Sequence, residues 1–381
     1  MNTNIKIVIG ANMGDEGKGL VTDYFAEMAR LRHENCIVVL SNGGSQRGHT
    51  VSLGLGDYHR HVFRHFGSGL FAGADTYIPE YYIVNPMNFM KEYNELGIFA
   101  KPVYINKNCL LTTPFDMIAN QIIEDARGEQ RHGSCGVGIW ETILRNGITV
   151  GEMYNNLPKA EEYLKYVRDD YFKSRLLDKG IKPSAEWEKI IYNQELIDHY
   201  LIDLCNMYAK SFFATDEILK TYKNVIFENG QGLILDQNII GYGKNTTPSN
   251  TGLQNPAKII IDTFLDCNVE VCYVSRTYMT RHGVGRFDTE WEASKISDKI
   301  KTDLTNLTHP YQGDLRYGVL EWKDLEQRVL ADFNKWGEED WKLSFVFTHM
   351  NEFDKLPFNE IKKDYFLYIS DGKTRDSIRS I

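Results

Sequence analysis

Along the N-terminal part of the chain the spacing of apolar and polar positions changes twice, and the changes predict an α/β opening. Ile5-Lys-Ile-Val-Ile9 is a short apolar run that stops at Gly10 and reads as a buried strand. A glycine-rich turn follows, Gly10 to Gly19. Leu20 to Arg32 then has helical spacing, with Leu20, Tyr24, Phe25, Met28 and Leu31 to one side. Cys36-Ile-Val-Val-Leu40 is a second buried strand, and Ser41 to Thr50 a second polar, glycine-rich loop. Strand, loop, helix, strand is the start of an α/β fold with a parallel pair. Val225–Phe227, Val269–Val274 and Leu343–Phe347 repeat the strand signal, each with a polar or glycine-rich loop behind it. Ligands in open α/β sheets gather at the carboxyl ends of strands, so these loops are candidate site walls. Lys159 to Lys220 is charged, aromatic and mostly free of Gly and Pro, which predicts a helical subdomain within a single domain spanning 1–381. The expected fold is α/β, with a large, mostly parallel central sheet flanked by helices.

Composition narrows the function. The formal net charge of -9 argues against a general nucleic-acid binder but leaves room for a local basic pocket. The cysteines Cys36, Cys109, Cys135, Cys205, Cys267 and Cys272 show no CxxC or zinc-type spacing and read as free thiols in a reducing compartment. No apolar run approaches the roughly 20 residues that span a bilayer. Met1 to Ile9 lacks the long apolar region of a signal peptide. The expectation is a soluble, cytoplasmic protein without a membrane or nucleic-acid partner (host cytoplasm, were it viral).

The first loop, Gly14-Asp-Glu-Gly-Lys-Gly19, lies between a strand and a helix, where backbone amides and the helix dipole favour an anion. Lys18 adds a point charge for a phosphate. The loop departs from GxxxxGK[ST]: Asn12 replaces the first glycine and Gly19 the Ser/Thr that binds Mg²⁺. Its unusual feature is Asp15. A carboxylate facing phosphates is repulsive unless it holds a metal or takes a proton, and both are useful in catalysis. The plain alternative is a tight turn with solvated charges.

Asn12-Met-Gly-Asp-Glu-Gly-Lys-Gly19 and Gln46-Arg-Gly-His-Thr50 resemble the QWGDEGKGK and NAGHT loops of adenylosuccinate synthetases. Phe227-Glu-Asn-Gly-Gln-Gly-Leu-Ile-Leu-Asp236 is similar to FEGAQG-x-LLD, and Thr247-Pro-Ser-Asn-Thr251 to TSSNT. Gly283-Val-Gly-Arg-Phe-Asp-Thr-Glu290 is similar to GAGPFPTE, and Arg316-Tyr-Gly-Val-Leu-Glu321 to RTGWLD. The ordered set spans most of the chain. The resemblance implies a ligase that joins L-aspartate to C6 of a 6-oxopurine nucleoside monophosphate, using a nucleoside triphosphate and Mg²⁺. A base removes the N1 proton, O6 attacks the γ-phosphate, and the aspartate amine then displaces the 6-phosphoryl group. It further implies that Asp15 is the base and a Mg²⁺ ligand, the Gly48 carbonyl a second ligand, His49 the acid, and Lys18 the group steadying the phosphate. Gln231 joins these as a catalytic residue. Asn12, Gly14, Glu16, Gly17, Gly19, Gly48 and Thr50 belong to the phosphate loops. Gln46, Ser134, Cys135, Gln231 and Thr247 map onto the monophosphate site, Cys135 standing where a threonine is usual. Arg145 maps onto an arginine that reaches into the neighbouring subunit of a homodimer, although alone it reads equally as a surface arginine. Gln312, Gly313 and Arg316 map onto the aspartate loop.

The chain departs from the family where selectivity is set. The family's TKLD, whose aspartate selects guanine, reads Thr348-His-Met-Asn351. Asparagine offers an amide donor in place of a carboxylate, which favours ATP over GTP as donor. The arginine-rich TTGRRRR loop reads Tyr311-Gln-Gly-Asp-Leu-Arg316, with Asp314 where an arginine stands near the ribose. These features resemble the phage branch that makes 2-amino-2'-deoxyadenylosuccinate from dGMP and ATP. Asp15, which many members of that branch lack, keeps the reading with IMP and GTP open. Two other classes stand beside these: a nucleotide-binding regulator without turnover, and a simple kinase. His59, His61 and His65 lack a carboxylate or cysteine to complete a metal set and read as solvated or substrate-side. Arg276, Arg281, His282 and Arg286 form a basic loop that either touches substrate or is charged surface.

Overall fold

The structure is a computed structural model, and it describes residues 3–54, 60–242, 245–264, 266–301, 313–353, 361 and 365–381. Its centre is a sheet of ten strands: β1 Thr3–Gly10, β2 Cys36–Leu40, β3 Asp75–Ile78, β4 Val103–Ile105, β5 Ser211–Phe213, β6 Asn224–Glu228, β7 Cys267–Arg276, β8 Lys342–Thr348, β9 Phe366–Ser370 and β10 Ile378–Ser380. They lie in the order β10-β9-β8-β7-β1-β6-β2-β3-β4-β5. Every pairing is parallel except that of β9 with β10. The expected large parallel sheet is therefore present. β1 and β2 are parallel, but they are not neighbours: β6 lies between them, with Ile7 opposite Phe227 and Phe227 opposite Val39.

The apolar runs of β1, β2 and β6 are continuous because both sheet faces are covered. Successive side chains point to opposite faces, so Ile5, Ile7, Ile9, Val225 and Phe227 enter one core while Val8, Val38, Leu40 and Ile226 enter the other. Helix α1, Lys18–Leu31, covers the second face with Leu20, Val21, Phe25, Ala26 and Ala29. The buried stripe ends there, and Leu31 is exposed, unlike its reading from spacing. The helices Gln254–Thr263 and Trp322–Trp336 cover the first face.

The predicted helical stretch is largely helical, with Leu157–Tyr166, Phe172–Leu177, Ala185–Ile191 and Gln194–Ala209. It is not helical to Lys220. Ser211–Phe213 forms β5 at the sheet edge, pairing with β4. The aromatic side chains of Phe212 and Phe213 suit that half-covered edge better than another helical turn. Among the described residues no helix is long and apolar enough to cross a membrane.

One buried acid ties α1 to the C-terminal segment. Arg375 Nε lies 2.7 Å from Asp23 Oδ2, and its Nη1 2.6 Å from Glu27 Oε2. Among the described residues neither Asp23 oxygen accepts a well-angled hydrogen bond, so the ion pair offsets burial incompletely. Burial pushes Asp23 up to about 7, against the pull of Arg375. A carboxyl raised in the folded state contributes stability that is full below its unfolded pKa and is lost as pH rises through its folded value. Stability is thus expected to fall between about pH 4 and pH 7, by an amount on the order of a few kcal/mol. Urea denaturation across that window should show the slope in the native protein and a flatter one in Asp23→Asn. Equal slopes would contradict the assignment.

Candidate active site

Because β1, β2, β6, β7 and β8 are parallel, their carboxyl ends meet at one edge of the sheet, and the loops behind them form the candidate site. The loop after β1 turns through three left-handed residues, Gly14 (φ 96°), Asp15 (φ 60°) and Gly17 (φ 91°). Its interior is filled by its own carboxylate. Glu16 Oε1 accepts from the Asn12 and Gly14 amides at 3.0 and 2.8 Å, and Oε2 accepts from Lys18 Nζ at 2.7 Å. Both side chains of the ion pair are about 2% exposed. Glu16 and Lys18, expected at the phosphate, here neutralise each other inside the loop. The amides of Lys18, Gly19 and Leu20, which open α1 without intrahelical acceptors, remain as groups facing an anion. Glu16→Gln keeps the amide contacts but removes the charge facing Lys18. It is expected to lower stability by about 1–3 kcal/mol, read from the urea midpoint. An unchanged midpoint would show that the buried pair does not hold the loop.

Three side chains that sequence reasoning did not assign brace this loop. Arg276 Nε donates to the Asp15 carbonyl at 2.5 Å, Thr348 Oγ1 to the Glu16 carbonyl at 2.7 Å, and Arg328 Nε to the Ala11 carbonyl at 2.8 Å. The signal available for the first two was position, since Arg276 and Thr348 end β7 and β8. Among the described residues no hydrogen bond reaches the Asp15 carboxylate. Burial pushes its pKa up, while His282, Arg276 and Lys18 oppose that shift.

The loop after β2 delivers Gln46, Gly48 and His49, and His49–Ser52 pairs antiparallel with Arg60–Phe63. A methyl placed on Gly19 would lie 3.0 Å from His49 Cβ and 3.1 Å from the Thr50 carbonyl, so only glycine lets α1 start this close to His49. His49 Nδ1 is 2.7 Å from Glu228 Oε1, at the end of β6. Burial lowers the His49 pKa to about 4, with Glu228 opposing and Arg47 and Lys18 assisting. Burial also works against the Glu228 charge, but Arg47 and His49 outweigh it and hold that carboxylate below its usual range. A neutral His49 donating Nδ1–H to an ionised Glu228 satisfies both shifts and leaves Nε2 free. Glu228 was visible in the sequence only as part of a motif.

Gln46 Oε1 and Nε2 and Gln231 Oε1 are buried without a hydrogen-bond partner among the described residues. Gln231 is itself left-handed, at φ 58°. A methyl on Gly43 would lie 3.0 Å from Gln46 Nε2 and 3.8 Å from Gln231 Oε1, so the two amides converge over that glycine. Each unpaired buried polar group costs about 1–3 kcal/mol, which a bound polar partner relieves.

The remaining expected residues divide. Ser134 Oγ donates to Asn120 Oδ1 at 2.8 Å, and burial pushes the Cys135 thiol up to about 11. Asn245 Nδ2 reaches the His132 carbonyl at 3.3 Å, joining the loop of Ser134 and Cys135 to that of Thr247. Arg316 is engaged internally: Nε donates to Glu290 Oε1 at 2.8 Å and Nη1 to the Gly283 and Gly285 carbonyls at 3.0 Å. Gln312 and His59 lie outside the described residues, Gly313 is left-handed, and Asn351 is exposed. His65 is not solvated: it is fully buried, beside Tyr82 and Phe89.

Arg145 is paired within its own chain. Its Nε and Nη2 bind Asp116 at 2.9 and 2.7 Å, Nη2 also meets the Leu111 carbonyl, and Nη1 meets the Tyr163 hydroxyl. Its side chain is 2% exposed.

The sequence model of the family described as adenylosuccinate synthetase matches residues 7–322. The chain belongs to the adenylosuccinate synthetase family. Curated relatives include the adenylosuccinate synthetases of Alkaliphilus metalliredigens, 29% identical over 77% of this chain and 67% of that protein, and of Lactobacillus acidophilus, 28% identical over 80% and 68%. Among solved structures the fold is similar to fully ligated adenylosuccinate synthetase from Plasmodium falciparum, with TM-score 0.72 and 16% identity over 99% of this chain and 100% of that one. It is also similar to cyanophage S-2L succinoaminodeoxyadenylate synthetase bound to dGMP and dATP as an energy donor, with TM-score 0.65 and 14% identity over 100% and 96%. As an adenylosuccinate synthetase family member the protein is a C–N bond-forming ligase.

Members of this family use Mg²⁺, and the residues here fit such an ion. Magnesium takes one or two carboxylates together with substrate phosphates and water. Asp15 offers a carboxylate without a competing hydrogen bond, and Gly48 is exposed immediately before His49, which packs on Gly19. Among the described residues no group of three or more His, Cys, Asp or Glu side chains forms a self-sufficient metal site. Asp15 and the Gly48 carbonyl would therefore share the ion with substrate oxygens.

Proposed function

We propose that this ligase joins L-aspartate to C6 of dGMP at the expense of ATP, giving 2-amino-2'-deoxyadenylosuccinate, ADP and phosphate. The observation that carries the assignment of the site is the pair of unpartnered amides, Gln46 and Gln231, converging over Gly43 between the loops of Asp15 and His49. A purine edge carries donors and acceptors suited to them.

In this reading Asp15 removes the N1 proton and O6 attacks the γ-phosphorus as ADP leaves. The aspartate amine then attacks C6 and the phosphate departs with O6. Bound magnesium supplies charge neutralisation on the phosphate oxygens. Arg276 and Thr348 hold Asp15 and Glu16 through their carbonyls, so the base is presented by a fixed backbone. His49 takes a proton from solvent at Nε2 and gives it to the phosphate oxygen freed as ADP leaves, its ring held by Glu228 at Nδ1. Phosphoryl transfer asks mainly for such positioning and charge.

The choice of ATP rests on Asn351. An amide cannot offer two acceptor oxygens to the guanine N1–H and 2-amino group. The fold's likeness to the cyanophage enzyme bound to dGMP and dATP supports this reading. IMP with GTP is the second reading, favoured by the names of the curated relatives and by the retention of Asp15.

The test is aspartate-dependent phosphate release with Mg²⁺ for dGMP, GMP, IMP and dIMP, each with ATP or GTP. Turnover confined to dGMP with ATP is the expected result. Turnover with IMP and GTP would overturn the assignment of Asn351 and Asp314. Phosphate release without aspartate would make the protein a nucleotide hydrolase, and phosphate transfer to the monophosphate without aspartate would make it a kinase.

A further inference from the structure

Arg47 stands where the family's NAGHT loop has alanine, and its placement is not that of a surface substitution. The side chain is 0% exposed. Nη2 lies 2.7 Å from Glu228 Oε2 and 2.8 Å from His49 Nδ1. With Nδ1–H directed at Glu228, the guanidinium meets the carboxylate as an ion pair and approaches the ring at the same nitrogen. Both Glu228 oxygens are then fixed. Oε1 accepts from His49 Nδ1 and the Ser68 hydroxyl, while Oε2 accepts from the Ser68 amide at 3.2 Å and is ion-paired with Arg47. Ser68 alone contacts both oxygens but carries no charge. Arg47 supplies the opposite charge at Oε2, away from the oxygen that His49 uses.

We propose that Arg47 is a positioning residue for His49, acting through Glu228. By anchoring Oε2 it prevents the carboxylate from rotating, so Oε1 stays on Nδ1 and Nε2 keeps one direction. The backbone at Arg47 is fixed as well, its amide donating to the Gly44 carbonyl at 3.1 Å. Among the described residues Arg47 Nε and Nη1 have no hydrogen-bond partner, and Glu228 is the one anion paired with this cation. The inference rests on the reading that His49 acts on the transferring phosphate.

The test compares Arg47→Met, Arg47→Lys and His49→Asn in full-length protein, with kcat and KM measured for both nucleotides and folding checked by thermal melting. Arg47→Met is expected to lower kcat by about 10²-fold, the scale of a misplaced catalytic group, with both KM values within about twofold. Lysine keeps the charge without the planar fork and should recover part of that loss. Should the methionine variant not fold, the lysine variant carries the test, with kcat down by roughly tenfold at unchanged KM. Unchanged kcat in the folded variants, or a rise in KM at constant kcat, would overturn the role of Arg47. A fully active His49→Asn would instead overturn the reading of His49, so the two failures are distinguishable.

Discussion

Asp15→Asn is expected to abolish turnover while nucleotide binding survives. Asparagine is nearly isosteric and tolerates the left-handed φ of 60°, so the loop should keep its shape. Its brace is the Arg276 bond to the backbone carbonyl, which the substitution leaves in place. What disappears is the group able to take the N1 proton and to share a metal. Loss of a general base costs about 10²–10⁴-fold, and loss of a metal ligand adds to that, so kcat should fall by at least about 10³-fold. Titration calorimetry of the monophosphate should give an affinity within a few-fold of the native value. A rate within tenfold of native would remove Asp15 from the chemistry.

Glu228→Gln should produce the largest loss of stability. The carboxylate is 0% exposed and pairs with Arg47, also 0% exposed, at 2.7 Å. Removing one partner of a buried pair leaves the other charge uncompensated, at about 3–5 kcal/mol. Arg47 has no other anion among the described residues to turn to. The double variant Arg47→Met/Glu228→Gln removes both charges and should recover a good part of that loss. Urea denaturation of the two single variants and the double gives the coupling directly. Additive losses would mean that the two groups do not support each other.

Much of this architecture was legible along the chain. The continuous apolar runs of β1, β2, β6, β7 and β8 mark strands covered on both faces, and the glycine-rich loops behind them mark the site edge. Spacing could not reveal that β6, nearly two hundred positions away from β2, inserts between β1 and β2, because lateral order depends on non-local pairing. It also could not show β5, where three residues at the end of a helical stretch complete the sheet edge. In the site, residue type announced the candidate roles of Asp15, His49, Gln46 and Gln231. What it concealed was which charges neutralise which. Glu16 looks like part of a phosphate cradle and instead fills it, paired with Lys18. Arg145 matches a residue that reaches outward, and within the chain it is bound to Asp116. Arg47 and Glu228 lie far apart in the chain, and only the fold shows that they form one network with His49.

The central claim is that O6 of the purine is phosphorylated before the aspartate amine displaces it. Incubating the native enzyme with Mg²⁺, L-aspartate, the active triphosphate and monophosphate labelled with ¹⁸O at C6 tests this directly. Mass spectrometry of the released phosphate should find one ¹⁸O per phosphate in step with succinylated product. Unlabelled phosphate, with the ¹⁸O released as water, would contradict the 6-phosphoryl step and with it the roles given to Asp15 and His49.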